Sequence, residues 1–355
     1  MTDLLTKLTY QAFQQGKSYF GLAHKTLSTE LLKLVNPPAP ERVPQPLDIQ
    51  VLNQVRIWLD EIIETDWQDA EQGVYPASLL FENPWEDFFR HYPALWLDMV
   101  DIQNRANRKQ YQSFSPGVDT DGYPSYYLQN FHHQTDGYLS EKSAELYDLQ
   151  VDILFNGGAD AMRRRVLAPL KQGLTEFQSV PPKQIRVLDV ATGTGRTLRY
   201  IRAALPQASL HGIDLSPAYL RKANQLLSEI PGELPQLVQA SGEAIPYLDN
   251  YFHGVTSVFL FHELPPQVRQ QVIAECFRVT KPGGLFIICD SIQAIDFPEM
   301  QPMLENFPVT FHEPYYRSYI TDDLVQRLEQ AGFETVRTEN HFVSKYWIAQ
   351  KPIES

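Results

Sequence analysis

The chain has 355 residues, 43% of them hydrophobic and 21% charged, which is the composition of a globular protein with a sizeable packed core. Its formal net charge of −13 repels phosphate backbones and argues against nucleic acid as a substrate. The two cysteines, Cys276 and Cys289, fall in an apparent core helix and core strand, so the sequence predicts neither a disulfide framework nor a metal cluster. We expect a protein of the reducing cytoplasm.

A helical extension is predicted over residues 1–139. Apolar residues recur at helical spacing over 3–35, 48–64 and 84–110, and Pro93 is expected to break or kink the last of these helices. Polar and charged residues interrupt the first apolar stretch, so neither a signal peptide nor a membrane-spanning segment is expected. The role of the extension stays open among an acceptor-selecting cap, a dimer interface and a peripheral membrane-binding surface.

Two loops interrupt this extension. Five prolines within residues 36–46 fix φ and remove backbone donors, which makes that stretch a connector. Residues 113–139 are dense in Gly, Pro, Asp, Tyr and His, and loops of this kind often carry function. Adjacent side chains point in different directions, so His132 and His133 are not expected to share a metal ion. The sequence predicts no metal ligands.

From Ile185 onward, short β-branched runs alternate with helical stretches. The predicted strands are residues 185–192, 209–215, 236–242, 254–264, 285–292, 333–340 and 344–351. The predicted helices are residues 197–206, 217–230, 265–284 and 321–332. This alternation is typical of right-handed βαβ units, so we predict an α/β fold with a doubly wound, mostly parallel, Rossmann-like sheet.

The first of these strands runs through small residues into a helix. A turn without bulky side chains at Gly193 and Gly195 lets backbone N–H groups approach a ligand, and the helix that follows favours an anionic group. A dinucleotide fingerprint needs Gly or Ala where Leu198 stands, which disfavours a nicotinamide cofactor. Asp214 ends the second strand, 19 residues after Gly195, close to the distance of about 20 expected for a ribose-binding acid.

Four segments carry a family resemblance. They are DVATGTG at 189–195, HGIDLS at 211–216, ASGEAIPY at 240–247 and RVTKPGGLF at 278–286. In this order they resemble the motifs of class I methyltransferases, particularly the ubiquinone/menaquinone C-methyltransferases. The resemblance implies a seven-stranded domain over residues 140–355 that binds S-adenosyl-L-methionine. It identifies the cofactor rather than the acceptor.

The resemblance also implies cofactor contacts. The turn after the first strand would surround the methionine end, Asp214 would bind the ribose hydroxyls, and Leu215 would pack on adenine. Ser241 stands where the family usually has an acid for the adenine amino group, which leaves that contact open. Asp189 has an equally weighted structural reading, as an acid that accepts hydrogen bonds beneath the turn. The predicted cofactor-binding residues are Asp189, Ala191, Thr192, Gly193, Gly195, Asp214, Leu215, Ser241, Gly242, Glu243 and Phe259.

In such methyltransferases the segment before the first strand folds over the cofactor, so the resemblance implies a lid at residues 113–139. Within it, His132, His133 and Tyr138 are the candidate substrate-binding residues. The aromatic residues nearby either line an apolar acceptor pocket or fill the seam between extension and core. These residues are Tyr123, Tyr126, Tyr127 and Phe131.

The candidate catalytic residues are His262 and Glu263, because ligands bind beyond the carboxyl ends of strands in such sheets. Methyl transfer is an in-line displacement, so a general base is optional. Histidine is suited to act as a general base. An equally weighted interpretation is that His262 is a hydrogen-bonded packing residue. We predict a methyltransferase acting on carbon or oxygen of a small, hydrophobic, quinone-like or phenolic acceptor. A non-catalytic scaffold or assembly factor, and another S-adenosylmethionine-using transferase, are the alternatives.

Overall fold

The computed structural model describes residues 4–82 and 85–353. Its described residues contain one seven-stranded sheet in the order β3-β2-β1-β4-β5-β7-β6. The strands are β1 (Arg186–Val190), β2 (Ser209–Asp214), β3 (Gln236–Gln239), β4 (Phe252–Val258), β5 (Thr280–Ser291), β6 (Glu334–His341) and β7 (Ser344–Gln350). Strands β1 to β5 pair in parallel, and β7 runs antiparallel to β5 and β6. The predicted doubly wound, mostly parallel α/β fold is confirmed.

Helices cover the sheet and form the N-terminal extension. The α-helices are α1 (Leu4–Val35), α2 (Ile49–Glu71), α3 (Trp85–Asn107), α4 (Glu141–Leu154), α5 (Ala159–Arg164), α6 (Leu167–Gly173), α7 (Arg196–Ala204), α8 (Pro217–Ser228), α9 (Pro266–Val279), α10 (Gln301–Thr310), α11 (Tyr316–Tyr319) and α12 (Leu324–Ala331). Short 3-10 helices span Pro40–Arg42, Ala77–Phe81, Phe131–His133, Leu174–Phe177, Pro182–Gln184, Phe261–Glu263 and Pro298–Met300. Across the two described ranges, no helix is both long and apolar enough to cross a membrane.

Local sequence explains where the helices beside the site begin. Helix α8 has Pro217 in its first turn, and the Ser216 side chain accepts a hydrogen bond from the Tyr219 amide, which satisfies a helix-terminal donor. Helix α7 begins after Gly195, which is left-handed at φ 82°. Ser140 caps α4 in the same way as Ser216 caps α8, by accepting from the Ser143 amide.

Several elements differ from the sequence prediction. Helix α2 extends to Glu71 rather than 64, and β5 begins at Thr280, inside the predicted helix 265–284. Of the predicted break or kink at Pro93, the break is wrong, because helix α3 continues through this residue. Phe88 and Leu95, one on either side of the proline, share an apolar cluster with α4, and this burial offsets the backbone hydrogen bond that proline removes. Strand β4 ends at Val258 rather than 264, because Phe259 is left-handed at φ 59°. The chain then turns into the 3-10 helix Phe261–Glu263.

The extension shares its core with the sheet. Leu59 and Trp67 of α2 belong to the same buried cluster as Val187 of β1 and Leu198 of α7. At its centre the Asp66 carboxylate accepts two hydrogen bonds from the Arg164 guanidinium, at 2.9 and 2.6 Å. Both side chains are only 1% exposed.

Two tyrosines complete this buried network. Tyr10 of α1 and Tyr75, which follows α2, each donate a hydroxyl hydrogen bond to the same Asp66 carboxylate. A buried ion pair persists only when its remaining hydrogen-bonding capacity is also satisfied. The network therefore joins α1, α2 and α5 into one structural unit with the sheet.

Candidate active site

A cavity of about 800 Å³, counting its open mouth, lies at the carboxyl ends of β1, β2 and β4. The chain adds β2 and β3 on one side of β1 and then adds β4 on the other. In open α/β sheets, ligands bind at this reversal of strand order. One wall of the cavity is made by strand ends and the turn after β1, and the facing wall is aromatic.

The turn after β1 is held in an unusual backbone conformation. Ala191, Gly193 and Gly195 have φ values of 58°, 55° and 82°. A Cβ added to Gly193 would meet nothing within 4 Å, whereas one added to Gly195 would lie 2.9 Å from the Cβ of Ala223. Gly193 thus supplies a bare backbone to the cavity, and Gly195 allows α8 to pack closely against the turn.

Asp214 joins the turn to the end of β2. Its carboxylate accepts hydrogen bonds from the Gly193 and Ser216 amides, both at 2.8 Å, and the residue lines the cavity. Burial raises its pKa to about 6, with a further increase from Glu263, while the two amides favour the charged form. The carboxylate is therefore in position to accept hydrogen bonds from vicinal hydroxyl groups.

Asp189 lies beneath the turn. Its carboxylate accepts hydrogen bonds from the Thr256 hydroxyl at 2.6 Å and the Thr192 hydroxyl at 2.9 Å. Burial raises its pKa to about 7, although both threonines favour the charged form. These contacts match the structural reading, and Thr192 shares it, since its own amide donates to the Ile213 carbonyl.

Beyond Asp214 the cavity is bordered by Leu215 and Gly242. The Ser241 hydroxyl bonds to the Glu243 carboxylate at 3.1 Å, and this carboxylate also accepts from Tyr126 at 2.5 Å. An acidic group therefore stands beside Ser241, two residues later than the family pattern places it.

The facing wall is aromatic and comes mainly from the segment before β1. Phe131 and Tyr138 stack with ring centroids 5.5 Å apart, and Tyr147 and Tyr219 meet Tyr138 edge to face. On the opposite side Phe259 stacks on Phe155. The aromatic residues lining this wall are Tyr126, Tyr127, Phe131, Tyr138, Tyr147 and Tyr219. Sequence reasoning missed Tyr219, whose signal was its place in the first turn of the helix after Asp214.

Glu263 brings polar groups to the aromatic wall. It lines the cavity, and its carboxylate accepts a hydrogen bond from the Tyr138 hydroxyl. The Nε2 atoms of His132 and His262 lie 3.8 and 3.9 Å from Glu263 Oε1. Glu313, which the sequence did not single out, approaches His132 Nε2 at 3.2 Å.

The remaining candidates lie behind the wall. His262 Nδ1 is 2.7 Å from the buried Asp290 carboxylate; burial lowers its pKa, but Asp290, Glu263 and Glu313 together raise it to about 10. His132 and His133 are corrections to the predicted substrate contacts, because neither lies on the cavity wall; the His133 ring lies against Tyr111 and His312. Its buried ring is uncharged, since burial lowers its pKa to about 3.

The parallel sheet, the glycine turn and the acid at the end of β2 define a class I methyltransferase fold with an S-adenosylmethionine site. A family model described as a methyltransferase domain matches residues 187–284. An uncharacterised methyltransferase of Synechocystis is 32% identical over 164 residues, which cover 46% of this chain and 72% of that protein. The chain belongs to the class I S-adenosylmethionine-dependent methyltransferases and is an enzyme that uses this cofactor.

Two further relatives differ in their acceptors. A demethylmenaquinone methyltransferase of Thermotoga maritima is 28% identical over 214 residues, covering 55% of this chain and 86% of that protein. A sarcosine/dimethylglycine N-methyltransferase of Halorhodospira halochloris is 33% identical over 188 residues, covering 52% of this chain and 62% of that protein. The similarity thus establishes the reaction class without naming the acceptor.

Proposed function

We propose that the protein transfers the methyl group of S-adenosylmethionine to carbon or oxygen of a small, hydrophobic, phenolic or quinone-like acceptor. The observation that carries this proposal is the aromatic wall facing the glycine turn. Its six aromatic rings line the same cavity as the glycine turn, five of them packed in one cluster, and provide an apolar surface suited to an aromatic acceptor. The similarity to a demethylmenaquinone methyltransferase supports the same class of acceptor.

In this proposal the cofactor lies along the strand ends. Asp214 accepts hydrogen bonds from the ribose hydroxyl groups, Gly193 leaves room for the methionine portion, and Leu215 packs on adenine. Glu243, held by Ser241 and Tyr126, takes the adenine amino group. Asp189 supports the turn from below and does not touch the ligand.

The acceptor then lies between the methyl group and the aromatic wall. Glu263 is the polar residue of the wall that meets the acceptor's ionisable group, with Tyr138 holding its carboxylate. His262 is a positioning residue, because Asp290 fixes its ring beside Glu263. Alignment and exclusion of water supply most of the rate enhancement in a displacement of this kind.

Cofactor binding tests the first part of the proposal. We expect Asp214→Ala to weaken the binding of S-adenosylhomocysteine by roughly tenfold to a hundredfold, as measured by calorimetry. This is the effect of losing one or two hydrogen bonds to a charged group. Asp249→Ala is the matched control, because Asp249 is an exposed acid far from the cavity wall. Equal affinities in the two folded variants would contradict the assignment of Asp214.

Product analysis tests the acceptor. Protein with methyl-deuterated S-adenosylmethionine is offered hydroquinones, catechols and simple phenols, with sarcosine as the amine alternative, and products are identified by mass spectrometry. Labelled methyl on a ring carbon or phenolic oxygen supports the proposal. Transfer to sarcosine alone would replace it with an N-methyltransferase. Glu263→Gln should lower kcat while leaving cofactor affinity within about twofold, since the proposed cofactor contacts lie elsewhere.

A further inference from the structure

The geometry points to a binding site for one divalent transition-metal ion, formed by Glu263 of the cavity wall together with His132, His262 and Glu313 behind that wall. This inference goes beyond the proposed function, because neither cofactor binding nor methyl displacement requires an ion. The four residues come from three distant parts of the chain: the 3-10 helix before α4, the 3-10 helix after β4 and the loop between α10 and α11.

The ligand atoms already lie at suitable distances. One atom each from His132, His262 and Glu263 lie within 4.8 Å of one another. Glu263 Oε1 is 3.8 Å from His132 Nε2 and 3.9 Å from His262 Nε2. Two ligands about 2.1 Å from one ion at a tetrahedral angle lie ~3.4 Å apart, so the two histidine–glutamate pairs must close by about half an ångström. The widest pair of ligand atoms, up to 4.8 Å apart, must close by about an ångström more.

His262 is oriented as metal-binding histidines usually are. Its Nδ1 lies 2.7 Å from the Asp290 carboxylate, and Asp290 is fully buried and also accepts from the Phe261 and His262 amides. A carboxylate on one ring nitrogen fixes the orientation of the ring and leaves the other nitrogen to bind a metal. Here that other nitrogen, Nε2, is the one that faces Glu263.

Glu313 provides an independent indication of a missing ligand. Its side chain is fully buried, and among the described residues its carboxylate oxygens accept no hydrogen bond; Oε1 makes an ion-pair contact with His132 Nε2 at 3.2 Å. Burying a carboxylate without hydrogen bonds is costly unless a cation balances it. Metal binding at the two Nε2 atoms requires neutral imidazoles, so a divalent ion would take the place of the two imidazolium charges that otherwise face three carboxylates, counting Asp290.

The backbone holds His132 in place at some cost. His132 is left-handed at φ 53° and ψ 17°, a conformation that non-glycine residues adopt uncommonly. Its amide donates to the His312 carbonyl at 3.2 Å, next to Glu313. The same contact therefore brings two of the four ligands together.

The donor set favours particular ions. Imidazole nitrogens with carboxylate oxygens suit Zn²⁺, Co²⁺, Fe²⁺ and Mn²⁺, whereas Mg²⁺ and Ca²⁺ prefer oxygen ligands alone. Co²⁺ is a suitable probe, because its visible absorption reports directly on bound ligands. The full chain, freed of metal by chelator dialysis, is titrated with Co²⁺ and then challenged with Mg²⁺ in excess.

We expect one equivalent of Co²⁺ to bind with a saturable visible band that Mg²⁺ does not displace. Glu313→Gln and His132→Gln should each weaken the binding of Co²⁺ by at least about tenfold. His133→Gln is the matched control, because it changes the neighbouring histidine, whose ring faces Tyr111 and His312, and it should leave the affinity within about twofold. If His132→Gln fails to fold, Glu313→Gln alone decides.

Three results would overturn the inference: no saturable band, a band unchanged in both ligand variants, or displacement by Mg²⁺. Calorimetry with S-adenosylhomocysteine on the same metal-free samples separates this outcome from failure of the proposed function. Cofactor binding without Co²⁺ binding rejects the metal site and leaves the proposed methyl transfer intact.

Discussion

Replacing Asp66 with asparagine should strongly destabilise the whole protein. Asp66 is buried at the junction of the extension and the sheet, where its carboxylate balances Arg164 and accepts from two tyrosines. The asparagine amide carries no charge and turns an N–H donor toward the Arg164 guanidinium. That guanidinium then stays buried without its carboxylate partner. Removing one partner of a buried ion pair costs about 3–5 kcal/mol, a large share of a typical stability of ~5–15 kcal/mol.

Urea unfolding followed by circular dichroism measures this change. We expect the midpoint to fall with a single transition retained, because the extension and the sheet share one core. Glu30→Gln is the matched control: it also turns an acid into its amide, but its pair with Lys33 is more than half exposed, so the change should stay below about 1 kcal/mol. A loss of similar size in both variants, or two separate transitions, would refute this reasoning.

Three further predictions concern the site and the core. The Kd of S-adenosylhomocysteine should rise about fourfold from pH 7.5 to 5.5, because the carboxylate of Asp214, with a pKa of about 6, must be charged to accept the ribose hydroxyls. Gly195→Ala should destabilise the fold by about 1–3 kcal/mol in urea unfolding, since its φ is 82° and its new Cβ would lie 2.9 Å from Ala223. Cys276 and Cys289 are fully buried, and burial raises both thiol pKa values, so a thiol reagent should label neither until the protein is unfolded.

Each of these has its own control. Asp214→Asn should bind weakly with no rise in Kd across the same pH range, and a rise of equal size would assign the titration to another group. Gly16→Ala places a methyl group on a helix with nothing within 4 Å, so a loss as large as that of Gly195→Ala would point to a non-local cause. Labelling of either cysteine in native protein would mean that the core opens at that strand or helix.

The regular elements and the cofactor turn could be predicted from the sequence because their signals are local. Alternation of β-branched runs and helical stretches located all seven strands, and the acid that ends β2 was recognised by its spacing from Gly195. The end of β4 was misplaced, because the chain turns at Phe259 under non-local control. The amides of Phe261 and His262 donate to Asp290 of β5, a contact that no nearby residue announces.

The cluster of His132, His262, Glu263 and Glu313 could not be predicted from the sequence, because its contacts are also non-local. The sequence predicts no metal ligands, and the partners of His132 lie 131 and 181 positions further along the chain, at Glu263 and Glu313. No periodicity or spacing connects them. These residues meet only because three separate segments pack together: the 3-10 helices Phe131–His133 and Phe261–Glu263 and the loop between α10 and α11.

The two walls of the cavity have different origins in the chain, and this bears on how such an enzyme can diversify. The methyltransferase-domain model matches residues 187–284, which supply the glycine turn and Asp214. Most of the aromatic wall comes from residues 126–147, ahead of that stretch, and Glu313 comes from beyond it. Under the proposed function, substitutions in these flanking segments would change the acceptor contacts while leaving the glycine turn and Asp214 unchanged.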